Sequence, residues 1–273
     1  MFRYELSGFG DEISPHLNEQ LEVMGEEGLK FIELRGVENK GILDFTDEDW
    51  AVIKKGLEAR NFQVSAIASP IGKINIKDDF KKHLKDFERV IKMAHFFKTR
   101  FIRIFSYYPP KGEDPDKYRD AVMERMKKKT ELAKREDVIL LNENEVGLFG
   151  NIGRRCRDIQ ETINSPYLRF NFDPANFVVE NEKPYTDCYP LLEKHIAYVH
   201  IKDAKFAKEI TITPAGEGDG EVEEVLRALK KRGYDGFFSL EPHLSFAGQF
   251  KGFSGPENFR LAVKALKKIL ARL

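Results

Sequence analysis

Only two cysteines, Cys156 and Cys188, occur in the 273 residues. They are too few for a disulfide framework and stand at no metal-ligand spacing, so a stapled small fold and a thiolate zinc site are both excluded. Reduced thiols in a cytoplasmic protein are the expectation. Charge of one sign is also lacking. Lys+Arg and Asp+Glu number 45 each, which gives no long-range field to attract nucleic acid or an anionic membrane. No window approaches the roughly 18 apolar residues of a membrane span. The first residues, Met-Phe-Arg-Tyr-Glu-Leu, bring acid early and no apolar stretch of signal-peptide length. No Pro/Gly/Ser-rich stretch divides the chain, so one domain over residues 1–273 is expected. The run Lys127-Lys128-Lys129 sits among Glu124, Glu131 and Asp137 and reads as a solvated helix face rather than a basic patch.

What is present is an alternation repeated eight times. Short apolar runs rich in β-branched and aromatic residues lie at 4–9, 31–34, 63–67, 101–105, 138–142, 168–172, 196–201 and 237–240. Between them come charged amphipathic stretches near 16–28, 47–60, 77–97, 115–135, 151–164, 187–194, 221–232 and 256–271. Thr46-x-x-Asp49 and Ser254-x-x-Glu257 have the form of capping boxes, and Gly28 and Gly233 stand where helices should stop. Strand–helix units about 30 residues long imply parallel strands joined by crossovers. Eight of them without a linker predict a single closed (β/α)8 barrel, a TIM barrel, with its chemistry at the C-terminal ends of the strands.

Those strand ends carry ionisable groups in concentration. The fifth run ends in Glu143, the sixth in Asp173, the seventh in His200-Ile-Lys202-Asp203 and the eighth in Glu241-Pro-His243. Any one of these alone is better explained as a helix cap or an ion-pair partner. Together they differ, because three carboxylates packed at one barrel end repel unless a cation joins them. One divalent metal ion held by Glu143, Asp173, His200 and Glu241 is therefore expected. Three hard oxygens and one imidazole suit Mn²⁺ first, with Mg²⁺, Co²⁺ or Zn²⁺ as alternatives. Such a site fits a small substrate that offers a vicinal hydroxyl–carbonyl pair.

Further polar groups stand at or just past other strand ends. Glu33, Lys73, Arg103, Asn176 and His243 are expected to contact the substrate, with an ion-pair network as the alternative for Asp11, Glu12 and Arg103. Lys202 follows His200 by two residues, so strand alternation points it to the same side. There it would grip an anionic group or act as an acid. Lys205 and Lys208 follow in a loop, and Gly216-Glu-Gly-Asp-Gly220 reads as a flexible loop into a helix start.

The sequence resembles the xylose isomerase-like TIM barrels. The resemblance runs through Gly10-Asp-Glu-Ile-Ser14, Ser69-Pro-Ile-Gly-Lys73, Asn142-Glu-Asn-Glu145, Asp173-Pro-Ala-Asn176, His200-Ile-Lys-Asp203, Gly216-Glu-Gly-Asp219 and Leu240-Glu-Pro-His243. It implies a sugar or sugar-phosphate isomerase or epimerase in which Glu143 and Glu241 both bind the metal and exchange protons. Two positions depart from the ketose 3-epimerase pattern: Asn176 stands for a histidine and Phe206 for an arginine. A dehydratase of the inosose dehydratase kind, with Lys202 or His243 as the acid, is the alternative. An abasic-site endonuclease needs more strand-end histidines than His200 and His243. The expected partner is a small sugar or sugar-phosphate, with no nucleic acid and no membrane, and a homo-oligomer is compatible with the composition.

Overall fold

The computed structural model describes residues 2–206, 209–244 and 254–273. Eight strands form one parallel sheet: β1 (Glu5–Gly8), β2 (Phe31–Leu34), β3 (Gln63–Ala68), β4 (Phe101–Ile104), β5 (Ile139–Glu143), β6 (Leu168–Phe172), β7 (Ile196–Ile201) and β8 (Phe237–Leu240). Their spatial order is β1-β8-β7-β6-β5-β4-β3-β2. Parallel ladders join every neighbouring pair in that order, with a register shift in β2–β3 and another in β6–β7. The two ends of the sheet meet at a single parallel bridge between Phe9 and Glu33, so the barrel is nearly closed.

Outside lie α1 (Leu17–Glu26), α2 (Asp47–Ala59), α3 (Phe80–Phe96), α4 (Arg119–Arg135), α5 (Gly153–Ile163), α6 (Tyr189–Leu192), α7 (Val222–Lys231) and α8 (Pro256–Leu270). Helix α7 shows why these segments are helical. Val222, Val225, Leu226 and Leu229 are buried at positions one turn apart, Glu223 and Glu224 favour the positive N-terminal end, and Lys230 and Lys231 favour the other. Gly233, at φ 76°, supplies the left-handed residue past its end. At α2 the expected capping box is present, with Thr46 Oγ1 accepting from the Asp49 N–H and Asp49 accepting from the Thr46 N–H. Among the described residues no helix is long and apolar enough to cross a membrane.

Inward side chains fill the lumen in layers. The floor is aromatic, with the Phe237 ring 5.0 Å from Phe31 and 5.5 Å from Tyr198. Above it Ser65 Oγ lies 2.6 Å from Ser7 Oγ and 2.9 Å from Tyr198 OH, which satisfies three hydroxyls without water.

Several local expectations are corrected. Ser254 does not cap α8, whose N-cap is Gly255; its hydroxyl donates instead to Glu12 Oε2 at 2.7 Å. The Lys127–Lys129 run is not wholly a solvated face. Lys129 falls on the same stripe as the buried Val122, Met126 and Ala133, and its side chain is fully buried. Its Nζ donates to Phe105 O at 3.2 Å and sits 4.5 Å from the centre of the Tyr107 ring. Two small antiparallel hairpins, Gly36–Val37 with Lys40–Gly41 and Asp203–Lys205 with Thr211–Thr213, and a short helix, Pro174–Val179, add to the eight units.

Burial pushes the Lys129 ammonium down from its ordinary value to about 7, with Arg125 adding to the effect. The unfolded chain holds that proton up to about pH 10.5. Between these values the unfolded state binds more protons, so stability rises with pH across that window. Lys129→Met is expected to flatten this rise while leaving the protein folded at pH 7. Urea midpoints for both proteins at pH 7 and pH 9 measure it, and an unchanged pH slope in the variant would refute the assignment.

Candidate functional site

Strands β5 to β8 stand side by side and deliver the four predicted ligands to one point. Glu143 ends β5, Asp173 follows β6, His200 lies in β7 and Glu241 follows β8. Each offers a ligand atom within 4.8 Å of all the others, and all four are buried. His200 Nδ1 is 2.9 Å from Glu143 Oε1, 3.4 Å from Glu241 Oε2 and 3.9 Å from Asp173 Oδ2.

The surroundings fix these groups individually. Asp173 caps the Pro174–Val179 helix, with Oδ1 accepting from the Asn176 N–H at 3.0 Å, which leaves Oδ2 facing the cluster. Asn144 locks the same corner: its Nδ2 donates to Asp173 O, and its Oδ1 accepts from the Asp173 N–H. Asn176 Nδ2 in turn donates to Asn144 O at 2.9 Å. On the far side of the imidazole, His200 Nε2 is 3.2 Å from both Glu33 oxygens. That carboxylate–imidazole pair aims Nδ1 into the cluster.

Glu33 is therefore not a mouth residue. It is completely buried beneath His200, one layer below the cavity. The residue that reaches the mouth from β2 is Arg35, two positions further on. Its guanidinium donates to Asp11 Oδ2 at 2.7 Å, Glu12 Oε1 at 2.8 Å and Glu241 Oε1 at 2.7 Å, above the Phe9 ring. The expected ion-pair network exists here for Asp11 and Glu12, organised by a residue that strand-end reading passed over.

The other expected contacts reach the mouth. Lys73, Arg103, Asn176, Lys202 and His243 line a cavity of about 790 Å³, with Arg35 and Glu241 beside them. Arg103 NH1 lies 3.4 Å from Glu143 Oε2, its guanidinium is 4.8 Å from the Phe105 ring, and Lys73 Nζ is 4.4 Å from that ring. Lys73 is paired with Glu145 at 2.6 Å. Lys202 Nζ is 2.8 Å from Asp173 Oδ2 and 3.3 Å from Glu241 Oε2. Lys205 is exposed, and Lys208 lies outside the described residues.

Charge and burial pull against each other here. Burial pushes Asp173 up to about 6 even though Lys202 pulls it down. Burial alone would keep His200 neutral, but Glu143 and Glu33 outweigh it and raise it well above its ordinary value. Burial also lifts Glu12 to about 7 against the pull of Arg35. Two carboxylate oxygens of the cluster, Asp173 Oδ2 and Glu143 Oε2, are buried without a hydrogen-bond donor. Lys202 approaches the first without lining up to donate. Orphaned buried carboxylate oxygens are costly, and a divalent cation among hard oxygen and imidazole donors is what such a set fits. The cluster could hold a metal ion.

The glycine-rich segment has a definite task. Asp203 accepts from the N–H groups of Ala204 at 2.8 Å, Gly216 at 2.9 Å, Gly218 at 3.1 Å and Gly220 at 2.8 Å. A Cβ at Gly218 or Gly220 would collide with its carboxylate, so only glycine lets the loop wrap this closely. Asp203, one residue past Lys202, pins the β7–α7 loop; the loop is not simply flexible.

Comparison with known proteins agrees with this architecture. Among solved structures the chain is similar to the probable 3-DHS dehydratase AsbF from Bacillus anthracis, at 19% identity and a TM-score of 0.75, covering 97% of this chain and 98% of that one. It is similar to a D-tagatose 3-epimerase-like protein, at 18% identity and a TM-score of 0.76 over 98% and 97% of the two chains. It also resembles the IOLI protein with a bound zinc atom, at 14% identity and a TM-score of 0.74 over 98% and 97%. At these identities the likeness is one of fold. No curated protein matches the sequence significantly. The profile of one family matches residues 21–269, most of the barrel and all four clustered residues: the chain belongs to the xylose isomerase-like TIM barrel family.

Proposed function

We propose that the protein is a metal-dependent isomerase or epimerase of a sugar or sugar-phosphate, working by proton transfer beside a carbonyl. The observation that carries this reading is the buried Glu143–Asp173–His200–Glu241 cluster at the base of a polar cavity. A divalent ion there, Mn²⁺ as the first choice, supplies Lewis-acid polarisation of a substrate's vicinal oxygen pair.

The protein's own groups do the rest. A carboxylate must take the proton from carbon, and one that is also a ligand must be loosely held to do so. Glu143 meets that condition better, since its Oε2 has no hydrogen-bond donor, whereas Glu241 Oε1 is bound by Arg35. Glu143 is the first base and keeps the proton it takes. Glu241, an anion beside Arg35 and Lys202, must first take up a proton from water before it delivers one to the opposite side. Glu143 then releases its own, so that each turn restores both carboxylates. Asn176 and His243 on the cavity wall supply polar contacts for substrate hydroxyls.

The lyase alternative shares the first step and is favoured by Asn176 and Phe206 at the two positions that depart from the epimerase pattern. Incubation of the Mn²⁺-loaded protein with ketoses, ketose phosphates and inososes in deuterated water tests both. Deuterium at the carbon beside the carbonyl in a sugar of unchanged composition supports isomerisation. Loss of water from the substrate supports the lyase, and no exchange with any of them refutes the proton-transfer reading.

A further inference from the structure

Lys202 stands where two cations compete. Its Nζ is within 2.8 Å of Asp173 Oδ2 and 3.3 Å of Glu241 Oε2, and both residues belong to the four-ligand cluster. An ammonium and a divalent ion cannot both sit against the same carboxylate oxygens, because like charges repel strongly where water is excluded. The side chain is buried yet forms part of the cavity wall, so it has one direction in which to move.

Among the described residues, no buried carboxylate of that wall is left without a cation. Glu145 is already paired with Lys73 at 2.6 Å, and the second oxygen of Glu241 with Arg35 at 2.7 Å. The remaining charged wall residue on that side of the balance, Asp44, is exposed to solvent. Arg103 and Lys73 add positive charge to the same wall. A poorly solvated ammonium without a counter-charge is unfavourable, and the molecule entering the cavity is the one remaining source of it.

We infer that Lys202 is the residue a divalent ion displaces, and that its ammonium then binds an anionic group, a carboxylate or a phosphate, on a polyol substrate. This rests on the metal-dependent reading of the site. Lys202 thus neutralises the ligand carboxylates before the ion arrives and selects the substrate afterwards.

Two measurements on Lys202→Met test it, with Lys202→Gln carried in parallel so that a folding defect in one variant leaves the other. The first uses Mn²⁺ alone, titrated against a competing chelator. Removing the competitor should tighten Mn²⁺ binding about tenfold or more, whereas weaker binding in both variants would make Lys202 a support for the ligands and overturn the inference. The second compares D-fructose, D-fructuronate and D-fructose 6-phosphate, which differ only at C6, by calorimetry on the Mn²⁺-loaded protein. The wild type should bind one anionic sugar at least tenfold more tightly than fructose, and both variants should lose that preference while still binding fructose. Which anion is preferred separates carboxylate from phosphate. Equal binding of all three overturns the anionic group alone, and binding of none overturns the sugar reading together with it.

Discussion

Asp173→Asn and His200→Ala are each expected to abolish stoichiometric binding of a divalent ion. Asp173 is completely buried, and its Oδ2 is free of any aligned hydrogen bond. Asn can keep the helix-capping contact made by Oδ1 to the Asn176 N–H, so the local backbone should survive while the charge is lost. His200→Ala is harsher, because Glu33 and Glu143 both lose the imidazole they flank and remain buried. Some loss of stability is expected there, and circular dichroism at the assay temperature separates it from loss of the ligand. Elemental analysis after purification in Mn²⁺ reads the outcome. One ion per chain retained in both variants would place the metal elsewhere. Glu33→Gln should weaken binding less, by about 10- to 100-fold, as is usual for a group that orients a ligand from behind.

Turnover should respond most to the two glutamates. Glu143→Gln and Glu241→Gln keep the size of the side chain and remove its ability to take a proton. Each is expected to lower kcat on the order of 10²-fold or more, the usual contribution of a positioned acid–base group. Their metal contents should differ. Glu241→Gln deprives the half-buried Arg35 of one of its three carboxylate partners and alters a candidate ligand, so ion binding should suffer with turnover. Glu143→Gln should retain more metal, because a Gln amide oxygen can still face the cluster and the nearest cation, Arg103 at 3.4 Å, loses no aligned hydrogen bond. Normal turnover with metal bound in either variant would reduce that residue to a ligand.

The strands and the clustering of Glu143, Asp173, His200 and Glu241 were readable in the chain for a simple reason. Barrel strands alternate between lumen and helices, so apolar runs followed by an acid or a histidine mark the ends that face the site. The same alternation that placed Lys202 two residues past His200 applies to Arg35, two past Glu33, and would have found it. What alternation cannot give is depth. Glu33 and Arg35 share a direction, yet one lies under the imidazole and the other at the mouth, and no residue pattern marks that step along the barrel axis. Lys129 was hidden by composition, since three consecutive lysines suggest solvent even though the third repeats the period of Val122 and Met126. Asp203 and its glycines pair across 13 to 17 residues through backbone amides, which no side-chain pattern records.

The uneven closure of the barrel divides it mechanically. Strands β5 to β8 are joined by ladders of three or four residue pairs each, with one register shift between Phe170 and Asn171, so Glu143, Asp173, His200 and Glu241 ride on a stiffer arc. The weak joint lies between β1 and β2, where the Phe9–Glu33 bridge stands alone. Local opening follows the fewest backbone hydrogen bonds, so thermal breathing concentrates at that joint. Its two banks carry Phe9, Asp11 and Glu12 on one side and Glu33 and Arg35 on the other, and the last two reach across the lumen to His200 and Glu241. Fluctuations of the joint therefore reach the ligand arc through Glu33 and Arg35, while the spacing among the ligands stays with the stiff arc.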